Sequence, residues 1–395
     1  MYARLYWKQM KILCLPLLVA LLAASLLAQS SDPLPPLPAP VTNNAIAVYQ
    51  SRGHDFLFSI MGLGKAKTWD SVTSKAYMLD SDLLQWDSLP LVPGAAGRLA
   101  AMSAVVDGQV YVLGGAIIDS QKHENFVAGV NVLDPASRKW YRGKDMPIPV
   151  ADSVVGVYRD RYIFLIGGRS DSGPVSAVQV YDTKRERWFQ ATPMPYAVYG
   201  HSGAMVDDMI LYIDGATMNP SGTPLFVATD QCWIGKVRHK DPSKIEWSSV
   251  PAHPGTARFR TAAGASEKEH KIYFTGGSDI PYSDNGIGYN GSPAEPSPMT
   301  FDYDLHEKKW EVINQNTPHP LMDAHTLIVT PDGLLLLGGM EAAQKVTAQV
   351  TFIKKQTPPP SPQKPEAKIT DRQNPNGQQN PKVNSSTPDT KPATP

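Results

Sequence analysis

Residues 101–115 read AMSAVVDGQVYVLGG, and residues 130–143 read VNVLDPASRKWYRG. The first stretch holds a small apolar run, Ala101–Val106, then a second apolar run that ends in the pair Gly114–Gly115. The second ends a β-type run in Leu133–Asp134 and places Trp140 seven residues after the leucine. Both signals recur. Apolar runs ending in a glycine pair stand at Phe164–Gly168, Tyr273–Gly277 and Leu335–Gly339. Degenerate copies are FSIMGLG at Phe58–Gly64 and LYIDGA at Leu211–Ala216, and successive copies are about 50–60 residues apart. The apolar–Asp step with its tryptophan returns at Leu79–Asp80/Trp86, Tyr181–Asp182/Trp188 and Tyr303–Asp304/Trp310, and in the fourth copy Trp247 comes later. A fixed internal period of this size is the sequence form of a repeat architecture.

Each unit reads as four antiparallel strands: a small apolar one, one ending at the glycine pair, one ending at the aspartate, and one carrying the tryptophan. Glycine permits positive φ and close approach where strands converge. Aspartate suits the tight turn, and the large indole packs between neighbouring sheets. One four-stranded sheet cannot bury both faces, whereas six arranged about an axis do. The expected fold is therefore all-β, a six-bladed β-propeller of four-stranded antiparallel blades. The last unit offers three strands, near Ala324–Val329, Leu334–Leu337 and Val346–Ile353. Leu34–Val41 is expected to supply its outer strand and so close the ring.

Composition narrows the function. Lys+Arg and Asp+Glu are 37 each, but the middle, residues 29–355, holds 29 basic and 34 acidic groups. An acidic body lacks the clustered Lys/Arg that phosphate backbones require, which excludes nucleic acid as a partner. The chain has 2 cysteines, and Cys14 lies in the N-terminal apolar run. Cys232 alone forms neither an internal disulfide nor a Cys-x-x-Cys zinc site. Residues 1–28 run basic, apolar, small, the order of an export signal, which places the body outside the cytoplasm, periplasmic or extracellular. An uncleaved membrane anchor is the alternative. Residues 356–395, with ten prolines and no aromatic residue, read as a disordered tail.

The glycine pair, the apolar–Asp step and the tryptophan together resemble the kelch repeat, over about residues 33–355, and so imply a kelch-type propeller. Within that class the chain is similar to the periplasmic sialic acid mutarotase (N-acetylneuraminate epimerase) family. The similarity lies in its Leu-Pro-rich start, the Gly62-Leu63-Gly64 step, the run Val110–Gly115 and a long loop after Gly277. The resemblance implies a secreted propeller with a sugar-sized mouth. It also implies a catalytic Glu just after the Gly of the degenerate fourth copy, with an Arg following. Here Ala216 follows Asp214–Gly215, and no arginine occurs before Arg238. Asp214, Asp230 and Glu341 are the acids weighed as replacements. A galactose-oxidase-like copper site would need Tyr–His pairs that do not stand out near Cys232.

Propellers take ligands at the axial mouth, built from loops after the glycine pairs and before each first strand. Two such loops are long. Residues 116–127 carry Asp119, Lys122, His123, Glu124 and Asn125. Residues 278–298 carry Asp279, Tyr282, Asp284, Asn285, Tyr289 and Asn290. Long loops in a compact domain are often functional, and Tyr, Asn and Asp together suit a sugar's ring faces and hydroxyls. The residues before the first strands add Arg98, Asp152, His201, Arg258, Arg260, Asp323 and His325, and Arg169 follows a glycine pair. The ligand-binding set is thus Arg98, Asp152, Arg169, His201, Arg258, Arg260, Tyr282, Asn285, Tyr289, Asp323 and His325. No cofactor and no metal is expected. Gly286–Gly291 lacks the βαβ setting of a dinucleotide loop, and Asp279, Asp284 and Asn285 lack calcium-loop spacing. The expected function is carbohydrate or similar small-ligand binding. A sugar mutarotase or epimerase, and a protein-interaction propeller of the cell envelope, are the alternatives.

Overall fold

The computed structural model describes residues 34–355 apart from Arg52 and Ala95. The expected export signal and tail lie outside the described residues. Six antiparallel sheets form a six-bladed propeller. The third blade is representative: Val154–Tyr158, Tyr162–Ile166, Val178–Asp182 and Arg187–Ala191 pair in that order. The same order holds in the second blade (Met102–Val106, Gln109–Leu113, Val130–Asp134, Lys139–Arg142) and the fifth (Ala262–Ser266, Lys271–Thr275, Thr300–Asp304, Lys309–Asn314). The fourth blade follows it with longer outer strands, Cys232–Arg238 and Asp241–Ser249. Among the described residues no helix is long and apolar enough to cross a membrane.

Two kinds of hydrogen bond tie the blades together, one at every seam and the other at all but the seam between the fifth and sixth. The second glycine of each pair donates its N–H across the interface: Gly115 to the Val150 carbonyl (2.9 Å), Gly168 to Val198 (3.2 Å), Gly277 to Leu321 (2.9 Å) and Gly339 to Val41 (2.8 Å). The degenerate copies keep this bond, from Gly62 to Arg98 and Gly215 to Arg258. The first glycine is needed for closeness: a Cβ on Gly276 would stand 2.0 Å from the Leu321 oxygen, and one on Gly114 2.3 Å from that of Val150. Further out, each repeat tryptophan reaches back to the preceding blade. The indole N–H of Trp140 donates to Pro90, Trp188 to Lys144, Trp247 to Thr192 and Trp310 to Pro251. The repeat aspartates cap the turns: Asp80, Asp134 and Asp304 each accept an N–H from two residues on.

The N-terminal segment closes the ring, but by a different route from the expected outer strand. Among the described residues the last sheet has three strands, Ile328–Val329, Gly333–Leu337 and Val350–Lys354. Leu37 donates to the Ala348 carbonyl (2.7 Å), as Met146 does to Ala128 and Met194 to Ser176. Leu34–Val41 thus occupies the place of the link that leaves a fourth strand. Pro35, Pro36, Pro38 and Pro40 explain this, since proline brings no N–H to a strand ladder. Both interblade ties are completed by this segment: Val41 accepts from Gly339, and the Trp86 indole donates to Pro35 (3.0 Å).

Candidate functional site

Two residues before the first strand of each of the first five blades, and five before Ile328 in the sixth, the chain adopts a left-handed conformation: Asn43, Ala100, Asp152, Gly200, Arg260 and Asp323, with φ from 51° to 58°. Their backbones bond from blade to blade around the axis. Ala100 donates to Asn43 (2.9 Å), Asp152 to Ala100 (3.2 Å), Arg260 to Gly200 (2.7 Å) and Asn43 to Asp323 (3.1 Å). Of these six, Asp152, Arg260 and Asp323 bring charge to the axis. Arg260 donates to Asp152 Oδ2 from Nε (3.1 Å) and Nη2 (2.7 Å), and to Asp323 Oδ1 from Nη1 (3.1 Å). Tyr282, fully buried, donates its hydroxyl to the same Asp323 oxygen (3.0 Å). Burial would lower the Arg260 guanidinium, but Asp152, Asp323 and Asp284 outweigh it and raise it, so the buried charge is compensated. This group forms a floor across the axis.

Above the floor lies a cleft of about 710 Å³. The loop 116–127 forms one wall, and it is built as a hairpin, Ala116–Ile118 against Glu124–Phe126. Glu124 holds Arg169 at 2.6 Å. The guanidinium of Arg169 also lies 5.4–5.6 Å from the rings of Phe126, Tyr199 and Phe226. Tyr289 packs edge-on against Phe226 and receives a hydroxyl bond from Tyr199 (3.2 Å). Loop 278–298 lies over a buried apolar cluster of Tyr199, Phe226, Phe259, Tyr282, Met322 and Met340. Asp284 lines the cleft 3.6 Å from Arg260, with its side chain 13 % exposed. Burial pushes its carboxyl up to about 7, because Arg260 only partly offsets desolvation and the nearby Glu124, Asp323 and Asp152 add to the rise. On the rim, Lys67 bridges the Gln344 (2.7 Å) and Asn285 (3.2 Å) carbonyls.

The residues expected at the mouth divide into three groups. Arg169, Asn285 and Tyr289 line the cleft. Arg260, Asp152, Asp323 and Tyr282 make the floor beneath it. The other four do not reach it. Arg98 is buried and bonds the Gly114 and Gly129 carbonyls and the Asn131 side chain. His201 sits between blades, with Nε2 bonded to the Ile166 carbonyl (2.9 Å), and burial lowers its pKa to about 4. Arg258 bonds Thr256 (2.7 Å) and gives its backbone N–H to Asp214. His325 faces a smaller chamber below the floor and bonds Asn43 (2.9 Å). The ring positions explain the difference: Arg98 and Arg258 stand two residues before one, and His201 and His325 one and two residues after. Glu124 and Asp284 stand in the long loops but outside the expected binding set. Phe126, Tyr199 and Phe226 carry no local motif.

The acids weighed as replacements for a catalytic Glu are committed or distant. Asp214 is buried against His253 (Oδ2 to Nε2, 2.6 Å), Glu341 pairs with Lys345 (2.8 Å), and Asp230 does not line the cleft.

A ring of six antiparallel blades, tied by a glycine pair and a tryptophan and floored by charged residues before the first strands, defines a kelch-repeat propeller. Residues 51–279, more than half of the chain, match the KLHDC2/KLHL20/DRC7 Kelch-repeats domain, and the chain belongs to that family. Kelch-like protein 15 of Danio rerio is 26% identical over 275 residues, covering 68% of this chain and 42% of the relative. Kelch-like protein 40b of the same fish is 34% identical over 118 residues, 29% of this chain and 19% of the relative. The chain thus spans less than half the length of these curated relatives. The solved structure of YjhT superposes with a TM-score of 0.64 at 19% identity, over 82% of this chain and 97% of the other, a likeness of fold.

Proposed function

We propose that the protein is an exported propeller that binds a carbohydrate or a similar small polar ligand in the cleft at its axial mouth. The lining of the cleft carries this reading: the Arg169–Glu124 pair and Asp284 stand beside the rings of Phe126, Phe226 and Tyr289 in about 710 Å³. A pyranose has the matching character, with apolar ring faces and hydroxyl edges, and the volume suits a small-molecule site. Export is supported by the basic–apolar–small order of residues 1–28. The test is line broadening of monosaccharide proton signals by the purified chain, compared with Arg169→Met. Broadening of at least one sugar that weakens in the variant is expected. Unbroadened lines across neutral, amino and acidic sugars overturn the reading.

A second reading, a sugar mutarotase or epimerase, draws support from the cleft-lining Asp284 carboxyl. Fold alone does not carry an activity, so this reading stands or falls with that side chain.

A further inference from the structure

We propose that the end of the axis opposite the cleft is a self-association surface, where the basic hairpin of the fourth blade seats in the acidic mouth of a second copy of this chain. The first strands run away from the floor, so their far ends surround the other opening of the axis. A hollow of about 920 Å³ lies there. Its throat is aliphatic, because the fourth residue of each of five first strands lines it: Val48, Val105, Val157, Met205 and Ala265. Its rim is acidic. Asp160, Asp207, Asp208 and Glu267 stand there with Arg159 and His239, and the Arg159 guanidinium is folded over the Tyr158 ring at 4.6 Å.

The third strand of a blade runs parallel to the first, so the turn that follows it lies on this same face. In the fourth blade that hairpin is long: Cys232–Arg238 and Asp241–Ser249 have 7 and 9 residues, where the third blade has 5 and 5. Lys236, Arg238, Lys240 and Lys244 are exposed on it. Its two acids are engaged, Glu246 with Arg238 (2.7 Å) and Asp241 with the Ser243 hydroxyl (2.7 Å). Val237 anchors the hairpin beside the mouth by donating its N–H to the Asp208 carbonyl (2.8 Å). Yet among the described residues no ion pair joins hairpin to rim. The hairpin's pair is Arg238 with Glu246, and the rim's is Asp207 with His270 at 3.7 Å. Lys236, Lys240 and Lys244 on the one, and Asp208 and Glu267 on the other, are left without an ion-pair partner among the described residues.

Hairpin and mouth lie side by side on one face. A two-fold axis through that face therefore sets each hairpin over the other copy's mouth, an isologous contact that closes at two copies. A lysine stem packs along the aliphatic throat while its ammonium meets the rim carboxylates. The opposed charges steer the approach and fix the register, and salt screens them.

The experiment is sedimentation velocity of the purified chain over a hundredfold range of concentration, at low and high salt. A monomer–dimer equilibrium is expected, with a dissociation constant that rises at least tenfold at high salt. A hairpin variant (Lys236→Glu, Lys240→Glu, Lys244→Glu) and a rim variant (Asp207→Lys, Asp208→Lys, Glu267→Lys) should each be monomeric alone, since like charges then face each other. Mixed in equal amounts they should form a dimer, because both contacts of the mixed pair are again complementary. A chain that stays monomeric throughout overturns the proposal and leaves the mouth to another occupant. So does a dimer that either variant keeps unchanged, or a mixture that fails to associate. Species larger than a dimer overturn the two-fold arrangement. Circular dichroism checks folding. Where a triple variant does not fold, the single exposed changes Lys240→Glu and Glu267→Lys, alone and mixed, decide the case.

Discussion

Asp284 and Asp152 flank the same guanidinium and are shifted in opposite directions. At Asp152 burial alone would raise the carboxyl, but Arg260 and His325 outweigh it and hold it below the ordinary carboxylate range. Its contribution to stability is present above the ordinary carboxylate pKa and is lost as pH falls through the lowered value. At Asp284 the raised value means that the folded protein binds more protons than the unfolded chain between the ordinary carboxylate pKa and about 7. Stability from this group therefore falls as pH rises through that window. Asp284→Asn removes the dependence, so its stability relative to wild type should be higher at pH 8 than at pH 5 in urea unfolding. An equal difference at both pH values refutes the protonated carboxyl. Gly276 supplies a second prediction at this scale. Its φ is +73°, and an added Cβ would meet the Leu321 oxygen at 2.0 Å. The left-handed conformation alone costs an alanine roughly 1–2 kcal/mol, and the clash adds to it. Gly276→Ala should lower the urea midpoint by more than the equivalent change at Gly53, where a Cβ meets nothing.

At the scale of the element, the outer strand is held by its tryptophan. Trp310 packs on Tyr303 (4.6 Å between ring centroids) and donates to Pro251 at 2.7 Å. Trp310→Phe keeps much of the ring contact and loses the hydrogen bond, for an expected loss of about 1 kcal/mol, read as a lowered Tm. The repeat that makes these elements recognisable was legible because its marks are local: glycine where blades meet, aspartate at the turn, tryptophan seven residues on. The small apolar run Ala101–Val106 was legible to within one residue of the observed strand, Met102–Val106. The site was legible only in part. Asp152, Arg260 and Asp323 occupy axial positions, but a displacement of one or two residues from those positions turns Arg98, His201 and Arg258 into the space between blades and His325 below the floor. Tyr282 stands in a loop that reads as polar, yet it is buried by Phe259 beneath and Asp323 beside it. Phe126 and Phe226 come together from separate hairpins, and no spacing in the chain encodes that meeting. The proline run at the N-terminus fits an edge strand by sequence, which is why it reads as one, and its position as a link followed only from the Leu37–Ala348 bond.

For the whole molecule, closure depends on residues 34–43. They bury Leu37 and Val41 in the seam between the last and first blades, alongside Leu335, Leu337 and Val350, and they supply Asn43 to the axial ring. Deleting residues 1–43 should lower Tm and expose the last blade, with limited proteolysis moving into residues 328–354. A synthetic peptide of residues 34–43 added in trans should restore part of the protection. Unchanged proteolysis would mean that the blades hold the ring without a clasp. The clasp has a consequence for how the protein is made. Asn44 bonds the Leu337 carbonyl from 293 positions away, so the earliest part of the seam to be synthesised must wait for nearly the last. A ribosome that stops inside the fifth repeat leaves a chain that has completed strands but an open arc, with a bare sheet at either end. Joining the two ends of the text thus works as a check on its completeness, and only a chain translated through its sixth repeat can pass it.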